Sequence, residues 1–319
     1  MGLRRIVGLA TIACAFAAQT AMAHEDHNGN ACSMIPENNQ FYGVGFAGGI
    51  SENQFNAVLD VVEQIYAPIF TAKGAKLVVK RNWTDGTVNA YAEQNGKNWS
   101  ISMFGGLARH PETTVDGFAE VACHEIGHHL GGLPKYSGMS WASVEGQSDY
   151  YATLKCMRKV IADLKEWPSS FEIDPLVDER CKAAFPTVTT DYSICVRSSY
   201  GGLALARLLA DLGSEKMPQF NTPDTSKVSR TNENHPAGQC RLDTYFAGAV
   251  CDADATIDPS DTDVAAGSCM AEATTPFANG MGSRPNCWYA DKATTPTPDE
   301  GDDDWDWPWP WPEDELAAN

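Results

Sequence analysis

The clearest chemical pattern in this sequence lies at residues 124–128, which read His-Glu-Ile-Gly-His. On an α-helix, side chains four residues apart project from one face, so His124 and His128 could bind one shared ion. Two histidines at this spacing are typical zinc ligands. Glu125 lies about 100° round the helix, where its carboxylate could accept a proton from a water beside the ion. The pattern therefore predicts a metal site that still lacks a third protein ligand.

The nearest additional side chains do not complete this site. Cys123 and His129 each point about 100° away from the neighbouring histidine of the pair, so we expect both to have packing or supporting roles. The longer metzincin pattern, HExxHxxGxxH, would require a histidine where this sequence has Pro134. The third ligand must therefore come from another part of the chain.

Residues 143–149 read Ser-Val-Glu-Gly-Gln-Ser-Asp and resemble the E-x-x-(S/A)-D segment of gluzincin metallopeptidases. The resemblance implies that Glu145 is the third zinc ligand and that Asp149 orients a ligand histidine through its far nitrogen. On a helix these two carboxylates would share one face and approach the same site. We therefore expect one Zn²⁺ ion to be bound by His124, His128 and Glu145.

Three further segments resemble the family of HtpX, BepA and the CAAX prenyl endopeptidases. Residues 89–92 and 99–107 are similar to the two strands that precede the HExxH helix in that family, and residues 235–242 are similar to its late His-Pro segment. The family cleaves peptide bonds with one zinc ion. The resemblance therefore implies that this chain is a zinc-dependent endopeptidase.

The same resemblance implies roles for four more residues. Asn89 and Ala90 would hold substrate backbone along the cleft, although a plain edge strand is the alternative. His235 would either stabilise the oxyanion or occlude the zinc as a fourth ligand, with a structural role at a helix start as the alternative. Arg241 would either contact a substrate carbonyl or pair with a carboxylate.

The elements that must position these residues can be read from capping and periodicity. Ser51 and Gln54 form a capping box that begins a helix, which we expect to end at Pro68. An Asn-Gly turn at 95–96 predicts a hairpin between strands. The strands are predicted at 87–92 and 99–104, and further helices at 113–131, 141–164, 202–212 and 241–250. This order predicts an α+β, zincin-like fold, with a small antiparallel sheet followed by the HExxH helix and a mainly helical remainder.

The chain divides into three parts by composition. Residues 1–23 have the basic, apolar and small-residue regions of a secretory signal peptide, with lipid attachment at Cys14 as the weaker alternative. Residues 24–290 would form the zinc metallopeptidase domain. Residues 291–319 are rich in acidic residues, Trp and Pro, which predicts a disordered tail. No later segment is apolar enough to span a membrane.

Charge and cysteine content restrict the partners and the compartment. Removing residues 1–23 changes the net charge from −19 to about −21, which argues against nucleic acid as a partner. Nine cysteines remain, and in an oxidising compartment this odd number leaves at least one unpaired. Residues 252–263, bracketed by Cys251 and Cys269, are predicted to be a solvated loop tied by a disulfide.

Together these features predict an exported zinc endopeptidase, in the periplasm or outside a Gram-negative-type bacterium, that acts on proteins or peptides. The alternative is a zinc-containing adaptor or chaperone-like protein that binds but does not cleave. Glu125 argues against this alternative, because a binding protein needs no residue that activates water. An aminopeptidase is less favoured, since the chain has no GxMEN-type segment to capture an amino terminus. The oligomeric state is not predicted.

Overall fold

The structure is a computed structural model that describes residues 31–36, 38–164, 172–186, 189–270 and 282–290. The predicted signal peptide at 1–23 and the predicted tail at 291–319 lie outside the described residues. Within the described residues no helix is long and apolar enough to cross a membrane.

The larger of the two sheets in the described residues has four strands. Its strands are β1 (Ala31–Ser33), β2 (Lys76–Asn82), β3 (Ala90–Asn95) and β4 (Asn98–Phe104), arranged in the order β1-β3-β4-β2. The hairpin of β3 and β4 forms as predicted, and Gly96 in its turn has a φ of 58°, which glycine adopts without strain. The sheet is mixed, because β2 lies parallel to β4. The prediction of an antiparallel sheet was therefore wrong: the long connection from β2 to β3 allows a parallel arrangement that a tight hairpin would not.

Helices make up most of the remainder, as predicted for an α+β fold. They are α1 (Glu52–Ala72), α2 (Gly105–Arg109), α3 (Val115–Leu130), α4 (Glu145–Tyr151), α5 (Met157–Asp163), α6 (Pro175–Ala184), α7 (Thr189–Gly213) and α8 (Gly238–Val250). A π-helical turn, Ala152–Cys156, joins α4 to α5. Helix α3 is central, and it packs against α1, α4, α7 and the sheet.

Helix α1 begins with the predicted capping box, in which the Ser51 hydroxyl accepts from the Gln54 amide. The helix does not end at Pro68 but continues through it to Ala72. A proline inside a helix removes one backbone hydrogen bond. The apolar side of the helix is buried on both sides of Pro68, since Tyr66 before it and Phe70 after it are both fully buried. This packing outweighs the lost bond.

The predicted helix at 141–164 begins too early. Residues Met139–Ser143 instead form β6, which pairs with β5 (Lys135–Tyr136) as a small antiparallel hairpin. The short run Trp-Ala-Ser-Val at 141–144 fits a strand as well as a helix, and the choice between them depends on tertiary packing. As a consequence Glu145 is the first residue of α4.

Four disulfides stabilise the helical part: Cys123–Cys156, Cys181–Cys195, Cys240–Cys287 and Cys251–Cys269. The last of these ties the acidic loop, as predicted. Cys32 is the cysteine left unpaired among the described residues, and it is buried. The odd cysteine expected from the sequence is therefore located in β1.

Candidate metal centre

Helix α3 carries the HExxH pattern through the centre of the core. The Thr114 hydroxyl caps its start by accepting from the Gly117 amide, and Gly131 follows its last residue. Gly127 lies between the two histidines and faces α4 so closely that an added Cβ would be 2.9 Å from the Ser148 Cα atom. Glycine at this position therefore lets the α4 backbone approach α3, which brings Glu145 to the histidines.

His124, His128 and Glu145 come together as a group that could hold one metal ion. The His124 Nε2 atom lies 3.4 Å from Glu145 Oε2, and the His128 Nε2 atom lies 3.6 Å from Glu145 Oε1. Nitrogen and oxygen ligands around a tetrahedral zinc ion are separated by about 3.3–3.6 Å, given ligand bonds of about 2.0–2.2 Å. The spacing of the three side chains therefore matches a metal of this size.

The hydrogen bonds of the group indicate which atoms face the ion. Three buried atoms have no hydrogen-bond partner among the described residues: His124 Nε2, His128 Nε2 and Glu145 Oε2. Buried polar atoms without a partner cost about 1–3 kcal/mol each, and these three converge on one point. The donor set and its unsatisfied atoms therefore fit a bound cation.

The far nitrogen of each histidine has an acceptor that holds a proton on it. His124 Nδ1 lies 2.7 Å from Asp149 Oδ1, and His128 Nδ1 lies 2.8 Å from the Ser143 carbonyl oxygen. Since a carboxylate and a carbonyl can only accept, each Nδ1 donates. Each Nε2 is then left as a lone-pair donor toward the site, the arrangement that orients metal-binding histidines.

Asp149 is the centre of a buried network behind His124. The Arg241 side chain donates to both of its carboxylate oxygens, at 2.8 and 2.6 Å, and the Tyr245 hydroxyl donates to Oδ1 at 2.6 Å. Although burial alone would raise the pKa of Asp149, Arg241 and His124 hold that pKa below its usual value. Asp149 therefore stays ionised and keeps His124 in place.

The metal-facing groups differ in proton affinity. Burial opposes a charge on His124, but the Asp149 and Glu145 carboxylates outweigh burial and raise its pKa to about 9. Burial lowers the pKa of His128 to about 4. Burial would raise the pKa of Glu145, but His235 and the two ligand histidines hold it well below its usual value. The centre therefore offers an ionised carboxylate to a cation, which would displace any proton held by the histidines.

Glu125 is fully buried beside the triad, and neither of its carboxylate oxygens has a hydrogen-bond partner among the described residues. Burial raises its pKa to about 8, against the opposing charges of His124 and Arg241. A carboxyl group with a pKa near neutrality can take up and return a proton. A cation bound by the triad would favour the ionised form of Glu125. The arrangement therefore combines a cation site with a carboxyl group that could become a proton acceptor once the cation is bound.

Cys123 and His129 lie away from the site, as expected. Cys123 forms the disulfide with Cys156. The His129 Nε2 atom donates to the Ser100 carbonyl oxygen at 3.1 Å, and its ring stacks on the rings of Trp99 and Trp141. Cys123 therefore cross-links α3 to the π-helical turn, and His129 packs against the sheet and the small hairpin.

The structure gathers the other four candidate residues around a single segment, residues 33–35. Asn89 is buried and its side chain is bonded to the backbone of Ile35. The Ala90 carbonyl accepts from Met34 N–H, and His235 Nε2 donates to the Ser33 carbonyl oxygen. Arg241 pairs with Asp149, one of the two predicted alternatives, and its remaining nitrogen also donates to the Met34 carbonyl oxygen.

Sequence reasoning missed three residues at the centre. Tyr136 donates to Glu145 Oε1 at 2.8 Å, Ser143 accepts from His128, and Tyr245 donates to Asp149. Only Tyr245 had a usable signal, because it lies four residues after Arg241 on a predicted helix and shares its face. Tyr136 and Ser143 come from the small hairpin, which was not predicted.

Comparison with known proteins found no matching family model, no similar curated protein and no similar solved structure.

Proposed function

We propose that this chain is an exported, zinc-dependent endopeptidase that hydrolyses peptide bonds in proteins or peptides. The observation that carries the proposal is the convergence of His124, His128 and Glu145, each with one buried polar atom that has no hydrogen-bond partner among the described residues. The neighbouring Glu125 is also buried, and neither of its carboxylate oxygens has such a partner. Zinc is the favoured metal because two imidazoles and one carboxylate are its usual catalytic ligands. The four disulfides fit an oxidising compartment outside the cytoplasm.

A bound zinc ion supplies Lewis acidity, which activates water and polarises a peptide carbonyl. Glu125 accepts the proton of the attacking water and returns it to the amine that leaves, a role its free oxygens permit. Asp149 and Ser143 hold the Nδ1 protons of His124 and His128, so the Nε2 atoms stay directed at the ion.

The proposal assigns two side chains beside the centre, His235 and Tyr136, to the binding of substrate carbonyl oxygens. His235 Nε2 lies 3.5 Å from Glu145 Oε2 and already donates to a peptide carbonyl, that of Ser33. The Tyr136 hydroxyl reaches the same carboxylate from the small hairpin. In the proposed reaction these two side chains bind the carbonyl oxygen that becomes negatively charged.

The decisive experiment is Glu125→Gln, measured for zinc content by mass spectrometry and for cleavage of casein. Because Glu125 is not a ligand, the variant is expected to keep one zinc per chain while cleavage falls by at least about 100-fold. Glu120→Gln is the matched control: Glu120 is also a fully buried glutamate of α3, and it lies outside the triad. This control is expected to keep both zinc and activity.

Two results would contradict the proposal. If Glu125→Gln cleaves casein as well as the wild type, Glu125 is not the base. If the wild type binds zinc and unfolded casein but cleaves neither casein nor peptides, the adaptor or chaperone-like alternative is favoured instead.

A further inference from the structure

We propose that residues 32–35, the N-terminal strap, occupy the peptide-binding groove of the metal centre and must be displaced before a substrate binds. The inference rests on the proposed peptidase function and deepens it. It assigns the groove, the mode of substrate binding and an internal occupant that keeps the groove closed.

The strap lies where an extended substrate could add to the sheet. Strand β1 pairs antiparallel with β3, and Cys32 is opposite Ala92 in this register. On its other side β3 pairs with β4, so without β1 it would be the edge strand above α3. An exposed edge strand binds an extended peptide through main-chain hydrogen bonds. The strap uses this mode, since Met34 N–H donates to the Ala90 carbonyl oxygen at 3.0 Å.

The Asn89 side chain both donates a hydrogen bond to the main chain of the strap and accepts one from it. Its side-chain nitrogen donates to the Ile35 carbonyl oxygen at 3.1 Å, and its side-chain oxygen accepts from Ile35 N–H at 3.2 Å. A buried amide used in this way binds peptide backbone regardless of the side chain at that position. The same contact is therefore available to any extended peptide.

The opposite side of the strap is held by residues that also contact the metal centre. His235 Nε2 donates to the Ser33 carbonyl oxygen at 2.8 Å and lies 3.5 Å from Glu145 Oε2. Arg241 donates to the Met34 carbonyl oxygen at 3.0 Å while it is paired with Asp149. One histidine thus touches both a strap carbonyl and a metal ligand, which places the strap directly beside the centre.

Cys32 places the start of the strap inside the same site. Its sulfur lies 3.8 Å from the Met139 sulfur on β6, so the strap passes between β3 and the small hairpin that carries Tyr136. Burial, together with the carboxylates of Glu145 and Glu125, raises the pKa of the Cys32 thiol. Cys32 therefore lies close enough to Glu145 and Glu125 for their charges to affect its thiol.

These contacts explain why candidates chosen for substrate binding all contact one short segment. Five of the hydrogen bonds are made to main-chain groups of the strap: the Ser33 carbonyl, the Met34 N–H and carbonyl, and the Ile35 N–H and carbonyl. Arg241 also contacts the Met34 side-chain sulfur, at 3.6 Å. A substrate presents the same groups in an extended conformation. The strap and a substrate would thus compete for the same donors and acceptors.

The first test is Met34→Pro, which removes the N–H that bonds to Ala90, with Met34→Leu as the control that keeps both the N–H and the apolar volume. Loss of this bond is expected to increase casein cleavage by up to about tenfold, while Met34→Leu stays at the wild-type rate. A folded, zinc-loaded Met34→Pro protein whose cleavage rate does not rise would overturn the proposal.

The second test does not depend on a variant of the strap and uses Cys32 as the reporter. In Glu125→Gln, which should bind substrate without cleaving it, alkylation of Cys32 by iodoacetamide is followed under non-reducing conditions by mass spectrometry of the peptide. Unfolded, carboxymethylated casein is expected to accelerate this alkylation, and to do so to saturation. If Cys32 stays protected at every casein concentration while the wild type cleaves casein, the strap is a fixed strand and only the peptidase assignment survives.

The converse result is also informative. If casein accelerates alkylation but neither the wild type nor Met34→Pro cleaves any substrate, the strap fills a binding groove and the peptidase assignment is wrong.

Discussion

Both sides of α3 carry buried histidines, but the two sides differ in whether the ring nitrogens of those histidines have hydrogen-bond partners. On the side facing α4, His124 and His128 each keep one ring nitrogen without a hydrogen-bond partner among the described residues. On the other side His129, the immediate neighbour of His128, has both ring nitrogens bonded, to Ser100 and to Gln94. This fold can therefore satisfy a buried histidine, and it does not do so where a cation is expected.

Glu120 sharpens the comparison, because it is also buried on α3 and neither of its oxygens has a hydrogen-bond partner in the part of the chain that the structure describes. Burial, with the nearby charges of Asp149 and Asp116, raises its pKa well above the usual value. Burial therefore favours the protonated form of Glu120, and among the described residues Glu120 belongs to no group of side chains that could hold a metal ion. The difference teaches that an isolated unsatisfied group adjusts its protonation, whereas several convergent ones indicate a ligand.

The largest expected effect is on the metal side. Glu145→Gln replaces an ionised ligand by a neutral one and should weaken zinc binding by more than about 100-fold, beyond the 10–100-fold typical of supporting residues. Zinc retained per chain after dialysis against a competing chelator measures this. His129→Phe, on the other side of α3, should retain its zinc. Equal retention by both variants would show that the two sides do not differ as described.

A smaller effect, on stability and not on zinc binding, is expected from the disulfide that joins Cys123 of α3 to Cys156. Replacing both cysteines by alanine should lower the free energy of unfolding by about 2–4 kcal/mol, mainly because the unfolded chain gains conformational entropy without the cross-link. Zinc content should not change. Urea unfolding measures the loss.

A matched control is the pair Cys181 and Cys195, whose sequence separation is 14 rather than 33. Removing that disulfide should cost less, by under about 1 kcal/mol, since a shorter loop is closed. Loss of zinc on removing Cys123–Cys156 would show that this disulfide positions the ligands and does more than stabilise the fold.

The smallest effect is the pH dependence due to Glu120. A carboxyl whose pKa is raised on folding binds its proton more tightly in the folded state, so its contribution to stability is complete below pH 4.5 and declines as the pH rises. Relative to Glu120→Gln, the wild type should therefore lose stability between pH 4.5 and neutral pH. Urea midpoints at pH 4.5 and 7.5 test this, and a difference that does not vary with pH would show that Glu120 is ionised.

Much of the site could be predicted locally, and the parts that could not share one cause. The capping box at Ser51 and the hairpin at Gly96 formed as expected, because both depend on contacts within a few residues. Predictions failed at Pro68 and at β6, where packing against distant residues outweighs local preference. Tyr136 and Ser143 were missed for the same reason, since both lie on the unpredicted hairpin.

What the sequence by itself determined is the helix with its two histidines and glutamate, because a helical repeat alone aligns residues four apart. Of the ten cysteines, nine remain if Cys14 is removed with the predicted signal peptide, and this count predicts an unpaired cysteine. Only the tertiary structure decided that α4 begins at Glu145, that Arg241 pairs with Asp149, and that His235 and Arg241 bond to the backbone of residues 33–34. These are contacts between segments up to 207 residues apart, and no local pattern records which distant backbone will supply a partner.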